Sequence, residues 1–346
     1  MYAAQEYSST VRPAAATASA TKMQAIVHRQ YGTPDVLHVE EIERPVPGDE
    51  DVLVRVHAAG ANIGDHHVVT GRPYLIRLSP YGGLPRPKNL VPGATLAGRV
   101  EAVGAKVTTL RKGDEVYGQA DNGAFAEYIV MPAKMLAPKP KNLTFEEAAA
   151  VPWGATALVG LRAGGVVAGH KVLIIGAAGG VGTWAVQIAK ALGAHVTAVC
   201  SSRSIEMVRG LGADEVIDYT KEDFAAGGAR FDVILDMVGD RTIADCQRAL
   251  LPKGAYVSGA GGGGDWIGPF LRLGALLLKS LFTKQKLKSF MMTPDRNNLV
   301  ALTELVEAGK AKPVIERTFP LHEAGAALTH VGEGHARGQT VIKIAS

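Results

Sequence analysis

Residues 176 to 190 read GAAGGVGTWAVQIAK and follow the apolar run Val172-Leu173-Ile174-Ile175. From Ala177 the stretch is A-x-G-x-x-G, with Gly179 and Gly182 at the second and third places of a dinucleotide fingerprint. A glycine at the second place lets the backbone approach a pyrophosphate, and one at the third lets helix and strand pack closely. The residues after the loop open a predicted helix whose apolar positions Val181, Ala185, Ile188, Ala189 and Leu192 keep a 3.6 period. Its first amides and its dipole favour an anion. A glycine pattern alone is weak evidence. Here a strand precedes it, a helix follows it and a second strand comes at the right distance, so Ala178, Gly179, Gly180, Val181 and Gly182 are read as the cofactor loop.

Working outward, continuous apolar strands alternate with helices from Thr144 to about Met292: 171–175, 195–199, 215–218, 231–236 and 255–258. Such strands between helices predict a doubly wound parallel sheet covered on both faces, the Rossmann arrangement. An NAD-preferring site carries an acid about 20 residues past the loop to hold the ribose 2′-hydroxyl. At that place stand Ser201, Ser202, Arg203 and Ser204, with no acid before Glu206. Hydroxyls and a guanidinium suit a 2′-phosphate, which predicts NADP(H).

From Met23 to about Pro140 short alternating runs broken by Gly and Pro, such as 52–57 and 98–103, predict a β-rich, barrel-like unit. After Arg296 come a helix over 298–309, a second near 322–331 and a final strand over 339–344, which suits the β-rich unit better than the parallel sheet. The expected division is a flexible tail over 1–22, a β-rich domain of 23–145 completed by 296–346, and a nucleotide domain of 146–295. The tail is rich in Ala, Ser and Thr and has no apolar core, so it reads as neither a secretory signal nor a packed element. Two cysteines, Cys200 and Cys246, give no disulfide framework and fit a reducing, cytoplasmic setting. A net charge of +4 spread along the chain gives no nucleic-acid surface. The longest apolar run, Phe270 to Phe282, carries Arg272 and Lys279 and falls short of the roughly 18 residues of a membrane span. With the lysines after it, that run is still the one feature favouring membrane contact, although no membrane partner is expected.

These residues resemble the zinc-free quinone oxidoreductase (zeta-crystallin-like) branch of the medium-chain dehydrogenase/reductase superfamily. Gly169-His170, Leu173, Ala177 to Gly182, Gln187 and Lys190 match its fingerprint. The likeness runs from Met23 to the end, through Gly32 to Leu37, Gly93 to Gly98, Gly113 to Val116, Gly123 to Tyr128 and Gly338-Gln-Thr-Val-Ile. It implies a GroES-like catalytic domain split around the Rossmann domain, and a homodimer pairing through the sheet edge near Lys286 to Met292. Many relatives hold a catalytic zinc with a Cys, a His-Glu pair and a further Cys. Here the first place falls near Asn62, the second reads Gly93-Ala94-Thr95, and no Cys precedes residue 200.

The resemblance further implies catalytic roles for Asn62 and Asp65 and for Tyr74, which stands one place later than the family's tyrosine. Asn62 would meet the substrate carbonyl or the nicotinamide ribose, and Tyr74 would give a proton. The plain reading, with Asn62 capping a turn and Asp65 holding the loop's backbone, is equally open. Tyr219 matches a residue near the adenosine phosphate, Val238 and Gly259 match cofactor positions, and Ile205 stands where relatives place a phosphate-binding Lys. His66 and His67, read as neighbours on a loop, point apart and lack a third metal ligand. Residues 260–266 and the apolar run stand where relatives carry a loop and helix facing the cleft. The implied activity is NADPH-dependent hydride transfer to a small electrophile, a quinone or an α,β-unsaturated carbonyl. The alternatives are alcohol/ketone interconversion, or a nucleotide-binding, membrane-associated relative without catalysis.

Overall fold

Six parallel strands form the sheet that places the glycine loop, in the order Glu215–Asp218, His195–Cys200, Lys171–Ile175, Phe231–Asp236, Leu250–Ser258 and Lys286–Ser289. The computed structural model describes residues 21–79, 82–259, 268–290, 292, 294–334 and 336–345, and the tail call over 1–22 lies almost wholly outside them. The chain enters the sheet at Lys171–Ile175, builds outward to one edge, then crosses to Phe231–Asp236. That reversal of direction opens the crevice in which doubly wound sheets bind ligands.

Helix Gly180–Ala191 is buried nearly all round, from Gly182 to Ala189. The sheet takes one face, and helix Trp153–Gly164 takes another. Trp184 is fully buried there, and a Cβ on Gly154 would lie 2.9 Å from its ring. The single apolar stripe expected from periodicity is therefore too narrow, and Leu192, assigned to it, is 39% exposed at the helix end.

The β-rich unit is a seven-stranded sheet centred on the long strand Asp51–Ala61, which pairs with Thr95–Val103, with Tyr128–Pro132 and with Gln339–Lys343. The final strand lies between Asp51–Ala61 and Ile315–Pro320, so the chain returns to the β-rich sheet after building the parallel one. One core lies wholly in the β-rich unit, and a second spans both units, joining Ala58, Tyr117 and Val341 of the β-rich sheet to the parallel sheet. Ile26, Val54, Leu96, Phe125 and Ile342 belong to one, while Val172, Ile174, Trp184 and Leu235 belong to the other.

Candidate active site

The strand Lys171–Ile175 ends in a sharp turn at Gly176, whose φ of +81° lies in the left-handed region that favours glycine. Gly176 is therefore the turn glycine, one place ahead of the Ala177 from which the fingerprint is read. The remaining glycines have separate roles. A Cβ on Gly182 would lie 2.0 Å from the Gly176 carbonyl oxygen and 2.7 Å from Ala177 Cα, so its absence lets the helix press on the turn. A Cβ on Gly179 would meet nothing nearer than 3.5 Å, so its absence leaves the loop's outer side open to a close backbone approach. The first-turn amides, which no helix satisfies internally, start at this opening.

At the other end of the crevice, Ser201, Ser202 and Arg203 follow strand His195–Cys200, and Tyr219, half exposed, donates its N–H to the Cys200 carbonyl at 3.1 Å. Parallel register sets Asp218 beside Cys200. Asp218 is only 3% exposed and accepts hydrogen bonds from the Ser202 hydroxyl, the Thr220 hydroxyl at 2.7 Å and the Thr220 N–H at 3.0 Å, with Lys221 Nζ at 3.4 Å. Those donors, Ser202 first and Thr220 next, hold its carboxyl well below the usual carboxylate range. The sequence reading looked for an acid on the Cys200 strand. The structure brings one from the neighbouring strand, and it takes the hydroxyl proton of Ser202. Ser202 therefore turns only lone pairs outward, and the cationic part of this turn is Arg203.

Three consecutive C-terminal residues close on both loops. Gly338 N–H donates to the Ala178 carbonyl at 2.8 Å, Gln339 Nε2 to the Gly180 carbonyl at 2.8 Å, and Arg337 Nη1 to the Arg203 carbonyl at 3.5 Å. Arg337 is itself oriented by Glu316, which accepts its Nε at 3.3 Å and its N–H at 2.7 Å. Gln187 adds a tie, donating to the Lys312 carbonyl at 2.9 Å and accepting the Lys312 N–H at 3.0 Å. Sequence reasoning missed the contacts that Arg337 and Gln339 make with the two loops. The Gly338-Gln-Thr-Val-Ile match was the available signal, but separation of more than 130 residues from Arg203 hid their destination.

Across the reversal point, Met237 N–H donates to the Ile175 carbonyl, and a Cβ on Gly176 would lie 2.7 Å from Val238 Cγ2. Val238 thus faces the glycine turn. Gly259 N–H donates to the Asp236 carbonyl, and its missing side chain makes room for Met237.

Asn62 ends the strand Asp51–Ala61 and caps helix Ile63–Thr70. Its Oδ1 accepts the Gly64 N–H at 2.6 Å, while its Nδ2 and its N–H both donate to Asp65 Oδ2. Both side chains are buried, at 9% and 3% exposure, and Asp65 also accepts from the Ala94 N–H. Burial pushes the Asp65 carboxyl up to about 8 against those donors. This is the capping geometry left open by the sequence. The neighbour of Asn62, Ala61, pairs with Thr340, next to the Gln339 that holds the glycine loop. Tyr74 belongs to another cluster, a short helix Tyr74–Leu78 in which the Arg77 guanidinium lies 4.9 Å from the Tyr74 ring centroid and 4.3 Å from that of Tyr31. His66 and His67 lie on the helix Ile63–Thr70 and not on a loop, because the Asn62 cap starts the helix before them. Residues 260–266, read as a loop facing the cleft, lie outside the described residues.

Zinc requires thiolate, imidazole or carboxylate ligands gathered in a near-tetrahedral set. Among the described residues no three His, Cys, Asp or Glu side chains gather to hold a metal, and both cysteines are buried in the nucleotide domain. The residues at Asn62 and at Gly93 to Thr95 do not fit zinc.

A parallel sheet with a glycine turn at its reversal point, clasped by the last strand of a β-rich domain, defines a two-domain dinucleotide-binding oxidoreductase. Residues 48–141 match the alcohol dehydrogenase GroES-like domain, and residues 211–342 match the family described as zinc-binding dehydrogenase. The chain is 34% identical to the mitochondrial NAD(P)H oxidoreductase RTN4IP1 of Mus musculus, over 95% of this chain and 91% of that protein. It is 33% identical to the 2-methylene-furan-3-one reductase of Solanum lycopersicum, over 93% and 79%. The solved quinone oxidoreductase from Coxiella burnetii superposes with a TM-score of 0.83 at 30% identity, over 93% of this chain and 99% of that one. The chain belongs to the quinone oxidoreductase branch of the medium-chain dehydrogenase/reductase superfamily.

Proposed function

We propose that this chain reduces small conjugated acceptors, quinones or α,β-unsaturated carbonyls, with NADPH and without a metal. The observation that carries the cofactor choice is the second loop, where the Arg337 guanidinium, paired with Glu316, reaches the main-chain carbonyl of Arg203 while the carboxylate of Asp218 is saturated by Ser202, Thr220 and Lys221. A carboxylate so occupied has no lone pair free for a ribose hydroxyl, whereas the guanidinium that Arg203 brings to this turn suits a 2′-phosphate. When bound, NADPH supplies the hydride. The loop from Ala178 to Gly182 binds the pyrophosphate with its amides, and Val238 and Gly259 wall the nicotinamide half. Asn62 and Asp65 spend their polar atoms on each other and on the Gly64 and Ala94 N–H groups, which leaves activation to the acceptor's own conjugation. Tyr74, held by Arg77, is the proton donor of this reading. The tomato relative, named as a reductase of a methylene-furanone, supports an enone-type acceptor.

The test is loss of the reduced-nicotinamide band with NADPH and NADH against quinones, enones and simple ketones. Faster turnover of conjugated acceptors with NADPH is the expected result. Preferred turnover of simple ketones contradicts it, and tight NADPH binding with no turnover on any acceptor points to the non-catalytic reading. We extend the proposal to a homodimer. Strand Lys286–Ser289 ends the six-stranded sheet, with Leu277, Leu281 and Phe282 exposed just before it. A monomeric mass by light scattering overturns that part.

A further inference from the structure

Helix Gly268–Ser280 leaves Leu271, Leu277 and Leu278 exposed and turns Arg272 inward, with its side chain 12% exposed. Arg272 Nη2 lies 3.0 Å from Asp236 Oδ2 and donates to the Tyr256 hydroxyl at 2.5 Å. Tyr256 in turn donates to Asp236 Oδ2 at 2.6 Å. The other guanidinium nitrogen, Nη1, donates to the carbonyls of Gly239 at 3.0 Å and Arg241 at 3.1 Å. Asp236 has no exposed surface, and its second oxygen accepts the N–H groups of Val238 at 3.0 Å and Gly239 at 2.8 Å. The loop after strand Phe231–Asp236 is therefore wrapped around one buried carboxylate, and a single guanidinium holds both the carboxylate and that loop's carbonyls.

We infer that Arg272 is a positioning residue which, through Asp236, sets Val238 against the glycine turn and so shapes the nicotinamide half of the site. Strands Phe231–Asp236 and Leu250–Ser258 lie on the far side of the reversal point from Ser201 to Arg203. In this fold the two sides take the two halves of the dinucleotide. Removing the guanidinium leaves a buried carboxylate short of its cation, a strongly unfavourable state that the loop relieves by moving. Val238 moves with it, because its N–H is one of the carboxylate's partners. Arg272 itself does not reach the cofactor. Its sequence position hid this, since it reads as a stray charge in an apolar run.

The inference rests on the proposed NADPH site, and its test separates the two. Dissociation constants for NADPH and for 2′,5′-ADP, which carries only the adenosine half, are measured on the full chain and on Arg272→Met, Arg272→Lys and Tyr256→Phe. Arg272→Met is expected to weaken NADPH about ten-fold, the worth of a charge-assisted hydrogen bond. Binding of 2′,5′-ADP stays within about two-fold, and Arg272→Lys recovers part of the loss. Equal losses for both ligands, or no loss for NADPH, overturn the inference. If Arg272→Met does not fold, Tyr256→Phe decides on the same two ligands: a loss confined to NADPH supports the inference, and equal or absent losses overturn it. A parent chain that binds neither ligand overturns the NADPH site itself, whatever the variants do.

Discussion

Asp218, beside the turn that follows strand His195–Cys200, and Asp65, at the corner of the β-rich domain, are each 3% exposed, yet they are shifted in opposite directions. Asp218 stands at the rim of the parallel sheet, where two hydroxyls, a backbone N–H and the Lys221 ammonium favour its charged form. Asp65 lies enclosed, with N–H donors from Asn62 and Ala94 but no cation, and desolvation prevails over them. Loss of surface alone therefore does not set the charge of a buried acid. The partners do, and they make the turn beside Asp218 an electrostatically settled region and the Asn62–Asp65 corner a pH-sensitive one.

The largest effect that could break this contrast is on stability against pH. With the Asp65 carboxyl raised from 3.8 to about 8 in the folded chain, the folded state keeps a proton that the unfolded state releases between those values. Its stabilising contribution is full below about pH 4 and is lost as pH rises through about 8, at no more than about 1.4 kcal/mol per pH unit. Asp218 has the opposite sign, and its contribution is lost only as pH falls below the ordinary carboxylate range. Urea unfolding between pH 5 and 8 should show a decline that disappears in Asp65→Asn. An unchanged slope in that variant removes the contrast.

Next in size is the pair of loop glycines. Gly182→Ala forces a methyl to 2.0 Å from a backbone oxygen and should lower stability by about 3 kcal/mol. Gly179→Ala, at φ −78° and facing open space, should change stability by about 0.5 kcal/mol or less, while NADPH binding falls about ten-fold. Thermal midpoints and a cofactor titration separate the two; equal behaviour would show that both glycines serve packing.

Asn62→Ala removes a cap and should cost about 1 kcal/mol, with NADPH affinity kept within about two-fold. A fall in kcat larger than a stability loss explains would instead return Asn62 to the chemistry. The smallest effect is Ser202→Ala, which takes one donor from Asp218 and should cost about 1 kcal/mol or less, read by thermal unfolding at neutral pH.

The geometry of the glycine loop was legible in the sequence because that region is made of backbone and of missing side chains, with Gly182 pressed on Gly176 and Gly179 facing open space. Strand boundaries at 171–175, 215–218 and 231–236 were legible for the same reason, since buried parallel strands are continuous apolar runs. Partners brought by register and chain return were not legible. Asp218 reaches Ser202 from the next strand, Arg337 and Gln339 come from the last segment, and Arg272 reads as surface charge until its helix is placed. Gly176 was missed because Ala177 fills the first fingerprint place, and Asn62 was ambiguous because one side chain suits a cap or a substrate equally.

We propose that the turn beside Asp218 selects the 2′-phosphate. Fluorescence titration of the chain and of Arg203→Ala with NADPH and NADH tests it directly. NADPH is expected to bind at least about ten-fold tighter than NADH in the parent and to lose most of that margin in the variant. Equal affinity for the two cofactors, or a margin untouched by the substitution, would contradict it.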